Sequence, residues 1–487
     1  MRKIVLSCKA DILLLLTFAI FVVIIKFCYP VPEITWDSDS YINISQYLQP
    51  NNRPIGYAVF LAILYTISKS LSFVVYSQFF IYLFSALVLL KVVKKYWRLN
   101  FLQYYFLGVL ILIEPAALYN CNTILSDILF SCLTYLYLAT LILYTSSKKF
   151  SLLIIHILLL CLCILTRHIA LFYSFFTVLI FIIYLKKFKR IFSIVLVFAA
   201  FFVVYKNVVD WNSRTYRVAI YSPFTGWNQA NNVLYALRHI HLNPESIQDE
   251  EIRELQLFFS AYLDTTSYKP YEVGSGYLWD ARSPLNIIRM RLEDSLKNEK
   301  LPSDLTFTWY LLAPKYARYS SFIIKNYPYQ YFKGFIIPNI KSLLKPNDAE
   351  MADYYTAKNG ISTESLKRYN LTANMLYCNK QLYKDYINPI NLFFYQIRLL
   401  SLVLAIFYLL FSREAFNDHT KRTLFILITF IIIFYLLSLS SSWFLPRYLI
   451  PVLPLMSVVI FICFLNILQL KGRRIAPCLP NESGQVM

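Results

Sequence analysis

Apolar residues in this chain come in long unbroken runs, separated by short polar connections that carry positive charge. Runs such as 12–25, 191–204 and 423–437 each approach the roughly 20 residues that a helix needs to cross a hydrocarbon core. The pattern predicts helices near 11–27, 71–90, 101–118, 123–143, 151–166, 169–185, 191–208, 391–411, 423–441 and 449–469. A further apolar stretch, 55–67, is too short to cross and is expected to lie along the interface or to re-enter. The expected fold class is an all-α polytopic membrane protein, with about ten transmembrane helices and a large mixed outer-facing loop domain.

The organisation follows from these runs. Residues 1–27 hold the first helix, 28–70 a first outer loop with an acidic motif and interfacial helices, and 71–209 helices two to seven. Residues 210–390 form a large polar segment, long enough for its own extracytoplasmic domain. Residues 391–470 hold the last three helices, and 471–487 a cytoplasmic tail.

Composition agrees with a lipid environment. Hydrophobic residues make up 58% of the chain and charged residues only 15%, with 39 Phe and 40 Tyr. The net charge of +20 would suggest nucleic acid in a soluble chain, but its distribution argues otherwise. Segment 210–390 is nearly balanced, with 21 basic and 18 acidic residues, which leaves 26 basic against 9 acidic elsewhere. That excess lies in short clusters between apolar runs: Lys91, Lys94, Lys95 and Arg98; Lys148 and Lys149; Lys186, Lys187, Lys189 and Arg190; Lys421 and Arg422; Lys471, Arg473 and Arg474. With the amino terminus inside, every one of these clusters falls on the cytoplasmic side, as the positive-inside rule requires. Arg2, Lys3 and Lys9 precede an apolar run with no small-residue cleavage site after it, so the first helix is expected to be retained. The nine Cys form no CxxC pair, which argues against a zinc site or a disulfide framework.

Other ionisable groups collect on the opposite face: Glu33, Asp37, Asp39, Glu114 and Asp127, with Lys26, Arg53, Lys69, Arg167, Lys206, Arg398 and Arg447. Lysines at helix ends are commonly interface anchors. Acids and arginines gathered at one end imply instead a polar cavity opening there. Asp37 and Asp39 lie between Trp36 and Tyr41, where a carboxylate serves as general base towards a hydroxyl or helps hold a divalent metal. Asp127 follows Asn120, Asn122 and Ser126; helix capping competes there with a metal-holding or acceptor-orienting role. Arg167-His168 and Arg447-Tyr448, the latter after Ser442-Trp443, stand at helix ends, where guanidinium groups suit a phosphate or a lipid headgroup.

Several short stretches, in this order, resemble the GT-C glycosyltransferases, in particular bacterial relatives of the protein O-mannosyltransferases and the lipid A aminoarabinose transferases. They are Asp37-Ser38-Asp39-Ser40-Tyr41, Arg53-Pro54-Ile55-Gly56-Tyr57, Leu165-Thr166-Arg167, Asn326-Tyr327-Pro328 with Pro338-Asn339, and Arg447-Tyr448 followed by Pro451 and Pro454. Many relatives carry Asp-Glu where this chain has Asp37-Ser38. By that resemblance Asp37 inherits the catalytic position and Asp39 stands in for the missing acid. The resemblance implies a polyprenyl-phosphate-linked sugar donor in the membrane and a glycan, lipid or protein acceptor, of which an O-antigen or lipopolysaccharide glycan is one candidate. It also implies transfer with inversion at the outer, periplasmic face of the cytoplasmic membrane.

The expected roles are then Asp37 and Asp39 in catalysis, with Asp127, Arg53, Tyr41, Arg167, Arg447 and Tyr448 binding substrate and Arg398 as a further candidate for the phosphate. The one cofactor these residues point to is a divalent metal on Asp37, Asp39 and Asp127, and nothing in the sequence demands it. Tryptophans 211, 227, 279 and 309 in the large loop suit sugar rings or a small core equally. Two rival readings are a lipid-linked glycan flippase or transporter, which should place polar groups at mid-membrane depth in matching halves, and a polysaccharide polymerase or ligase using Arg238, His239 and His241.

Overall fold

The computed structural model describes residues 2–49, 51–265, 273–344, 362–371, 388–411, 418–441 and 446–475. Among these the chain is helical throughout, and its one β-bridge, Glu33 with Thr123, stands outside any strand. Each of the ten apolar runs falls on helix. Six helices are long and apolar enough to cross a membrane: Lys9–Cys28, Leu71–Trp97, Ser126–Ser147, Lys187–Tyr216, Leu392–Phe411 and Asp418–Leu439. This is the make-up of a multi-pass α-helical membrane protein.

Four of the ten expected helices are not among these six. The run 101–118 is two helices, Phe101–Leu112 and Pro115–Cys121, bent by 54°. Pro115 opens the second helix at a position where a missing N–H costs nothing, and its ring ends the first. Phe150–Thr166 and His168–Tyr184 are apolar helices at the short end of the range for a crossing, and the last helix, Leu453–Ile475, is apolar over Leu453–Leu468.

Two cores organise the fold. The larger spans 10–209 and 395–463, and its outer helix faces leave Leu16, Ile20, Val23, Phe80, Leu158, Phe202 and Leu404 exposed. A surface of that kind is stable only against lipid or a partner. The smaller core lies within 227–335, where helices Phe224–Leu237 and Leu305–Asn326 pack so closely that a Cβ on Gly226 would meet the Ala313 carbonyl oxygen at 2.1 Å. Asp304 caps the second of these helices, accepting from the Thr306 and Phe307 amides.

Side-chain amides sew the two cores together. Asn232 donates to the Ser440 carbonyl at 3.0 Å, and Asn339 to those of Leu439 and Ser441 at 2.9 and 3.1 Å. These bonds satisfy carbonyls that the end of helix Asp418–Leu439 leaves without helical partners. At the opposite end of the bundle, Arg422 donates to the Thr145 carbonyl at 3.0 Å. Helix Ser126–Ser147 thus carries Asp127 at one end and the Arg422 contact at the other. The rise between Asp127 and Thr145 is about 27 Å, close to the thickness of a hydrocarbon core.

Candidate active site

The site begins with the Glu33–Thr123 bridge. Glu33 N–H donates to the Asn122 carbonyl at 2.9 Å, and Ile124 N–H donates to the Glu33 carbonyl at 3.0 Å. Helices start three residues beyond each bridge partner, at Trp36 and at Ser126. Asp37 and Asp127 are therefore the second residues of two helices that begin side by side. Helix amino termini carry partial positive charge and favour carboxylates at these positions. Thr35 and Ser38 close a capping box that fixes the first helix start, while the Glu33 carboxylate accepts from the Tyr119 hydroxyl and from Thr123 Oγ1.

Arginines arrive from three other places. Arg53 precedes helix Gly56–Ile67, Arg167 ends helix Phe150–Thr166, and Arg447 lies in the short helix Pro446–Leu449. Gly56 brings the first two together, since a Cβ there would lie 2.7 Å from the Leu165 carbonyl oxygen. Arg53 Nη2 donates to Asp37 Oδ1, and Arg447 Nη2 is 3.6 Å from Asp37 Oδ2. Arg167 Nη1 donates to Asp127 Oδ1. The Tyr448 ring lies between two of them, 5.2 Å from each of the Arg167 and Arg447 guanidinium carbons. Tyr41, one helical turn after Asp37, shares a 2.9 Å hydrogen bond with Ser126 Oγ and presents its ring to Arg53 at 5.6 Å.

Among the described residues, Arg53, Arg167 and Arg447 thus meet Asp37 and Asp127. Arg53 Nε is buried and has no hydrogen-bond partner. Burial of Asp37 pushes its carboxyl upward, but Arg53, Arg447 and Arg167 outweigh that effect and hold it below the usual carboxylate range. Asp37 is therefore ionised, and weak as a base while the arginines attend it. An anion that drew Arg447 or Arg167 to itself would restore Asp37's basicity.

Of the residues singled out in the sequence, Asp37, Tyr41, Arg53, Asp127, Arg167, Arg447 and Tyr448 come together. Asp39 does not join them. Two residues along a helix is about 200° around it, and Asp39 accepts from Ser362 N–H at 3.1 Å and Ser362 Oγ at 2.9 Å. The three aspartates thus do not converge on one metal position, and among the described residues no group of three His, Cys, Asp or Glu side chains could hold a metal ion. Capping does not account for Asp127 or Ser126 either, because the cap position is Leu125 and has no side-chain bond. Arg398 is elsewhere, 2.8 Å from Glu114. His168 packs edge-on against Tyr221, with Nε2 within 3.5 Å of the Asn52 carbonyl. Lys26 bonds to Asn122 Oδ1 at 2.8 Å and Lys206 to Asp210 at 2.7 Å. Arg238 donates to the Tyr277 hydroxyl at 2.7 Å, within the smaller core. Trp443 and residues 476–487 of the tail lie outside the described residues.

Sequence reading missed Ser126 as the partner of Tyr41, Ser362 as the partner of Asp39, and Phe224, whose ring lies 5.8 Å from the Arg53 guanidinium. All three contacts are long-range, and no local pattern announces them.

No protein-family model matches this chain, and neither does any curated protein or solved structure.

Proposed function

We propose that this protein is a membrane glycosyltransferase of the GT-C type, moving a sugar from polyprenyl phosphate to an acceptor hydroxyl. The observation that carries the reading is the convergence of Arg53, Arg167 and Arg447, from three separate stretches, around Asp37. In this mechanism Arg167 and Arg447 bind the donor phosphate, the arrangement that best suits planar guanidinium groups. Released from those arginines, the Asp37 carboxylate takes the proton of the acceptor hydroxyl. The acceptor oxygen forms its bond to the anomeric carbon from the face opposite the phosphate, the bond from that carbon to the phosphate oxygen breaks, and configuration inverts. Polyprenyl phosphate leaves with the bonding electrons, its growing charge stabilised by the guanidinium groups already in place. Asp127 keeps Arg167 aimed, and Tyr41 and Tyr448 fix Arg53 and the Arg167–Arg447 pair.

In this reading all ten apolar helices cross the cytoplasmic membrane, with the bent pair and the three shorter helices included, and 210–390 lies outside. Supporting it is the distance between the Arg422 end of helix Ser126–Ser147 and the Asp127 end, which is that of a hydrocarbon core. Membranes containing the full chain, given radiolabelled polyprenyl-phosphate sugars, should release labelled product, and Asp37→Asn should stop the release at unchanged protein level. No release from any donor would overturn the reading. Cysteines placed next to position 37 should react with membrane-impermeant reagents from outside; reaction from the cytosol alone would reverse the topology.

A further inference from the structure

The four tryptophans of the large segment divide by exposure. Trp227 and Trp309 are fully buried, stacked at 4.3 Å, with Trp227 Nε1 donating to the Trp309 carbonyl at 3.0 Å; they are core. Trp211 stands near the end of helix Lys187–Tyr216, where an indole is an ordinary interface anchor. Trp279 fits neither description. Its ring is stacked on Trp309 at 5.3 Å and 26°, which fixes its plane, yet the residue is 52% exposed. Phe224 completes the surface, 6.1 Å from Trp279 and edge-on to Trp309 at 5.2 Å. The same Phe224 ring carries the Arg53 guanidinium. An aromatic path thus runs from an open indole face to the arginine that holds Asp37.

Polar groups with unused capacity border this path. Asn228 lies one helical turn from Phe224 on the same face, and its Oδ1 is buried without a hydrogen-bond partner. Arg53 Nε is in the same condition. Next to Trp279, Asp280 and Arg282 hold each other in a bidentate pair at 2.8 and 3.1 Å. A rigid aromatic plane with a few buried, unsatisfied hydrogen-bonding atoms beside it suits a saccharide, whose C–H face stacks while its hydroxyls find the amide and guanidinium.

We propose that Trp279 and Phe224, with Asn228 and Arg53, form the acceptor subsite, and that the acceptor is a saccharide. The word acceptor rests on the transferase reading above; the binding of a saccharide does not. An indole anchored in lipid headgroups is the competing account, but Trp279 is fastened to the smaller core and not to the end of a membrane helix.

The full chain in nanodiscs, probed by saturation-transfer NMR with maltotetraose, chitotetraose and an α-linked mannotetraose, tests this. At least one should bind, Trp279→Ala should weaken it about tenfold, and Trp279→Phe should keep most of the affinity. Asn228→Ala, which leaves the aromatic stack alone, should also weaken binding. Three results would overturn the proposal: none of the three probes binding, equal binding by Trp279→Ala, or quenching of the Trp279 emission (wild type minus Trp279→Phe) by brominated phospholipid. Release of labelled sugar from the donor into water, measured with no saccharide present, separates the two ideas. Saccharide binding through Trp279 without donor cleavage sinks the transferase and keeps the subsite; donor cleavage with Trp279-independent binding does the reverse.

Discussion

Among the described residues, two sets of buried charges differ in how they are built. Glu114 and Arg398 make a pair of one acid and one base, 2.8 Å apart, with the Glu114 side chain 1% exposed. It lies at the break between Phe101–Leu112 and Pro115–Cys121, where the Tyr82 hydroxyl also donates to the Ile111 carbonyl at 2.6 Å. Every charge there is answered within the fold. Around Asp37 and Asp127, three arginines converge from helix ends and loops. A closed pair specifies a bend; under the proposed function the larger cluster is organised for the charge of a donor phosphate.

The largest expected effects test that separation directly. Asp37→Asn should lower sugar transfer by about 10²–10⁴-fold and cost less stability than loss of the closed pair, read by labelled-donor assay and by unfolding in detergent. Glu114→Gln should do the opposite, costing about 3–5 kcal/mol of stability by leaving Arg398 buried and unanswered. The same pattern for both variants would erase the distinction. Next in size, Arg167→Lys and Arg447→Lys should each reduce kcat by about 10²-fold, because an ammonium cannot reproduce the planar fork; Arg398→Lys should leave kcat within a few-fold of wild type.

Gly56→Ala should cost about 1–3 kcal/mol and slow transfer, since its methyl group meets backbone and must push Arg53 away from Arg167. Smaller still, Asp39→Asn should loosen the contact with Ser362 and leave the rate within a few-fold, so a large loss would restore Asp39 to the chemistry. Acid titration sharpens the same contrast. The folded Asp37 carboxyl lies below its unfolded value of about 3.9. Its contribution to stability is therefore present above that pH and fades as the pH falls through the lower folded value. The fall in Tm below about pH 4 should be shallower in Asp37→Asn than in wild type.

Much of this was legible in the chain. Apolar runs located the six helices long enough to cross but not Leu305–Asn326, and the one-sided gathering of acids and arginines pointed to the end where Asp37, Arg53, Arg167 and Arg447 meet. What apolarity did not give was the break within 101–118. The run through 113–115 stays hydrophobic across a break, although Glu114-Pro115 is a visible signal for a new helix start. Choosing between Asp37 and Asp39 needed the helix Trp36–Tyr47, whose 3.6-residue turn sets Asp37 with Tyr41 and Asp39 with Asn43. Ser362 and Phe224 were beyond reach, because nothing near them in sequence says which residue they will meet.

The contact of Asp37 with Arg447 has a consequence in time. A ribosome adding roughly 5–20 residues per second needs about 20–80 s to travel from one to the other. Throughout that interval the nascent acid has Arg53, sixteen positions downstream, but not Arg447. A chain released early, or one whose last segments fail to insert, carries the aspartate without the full set of guanidinium groups. Assembly of the cluster therefore waits until Arg447 has been made.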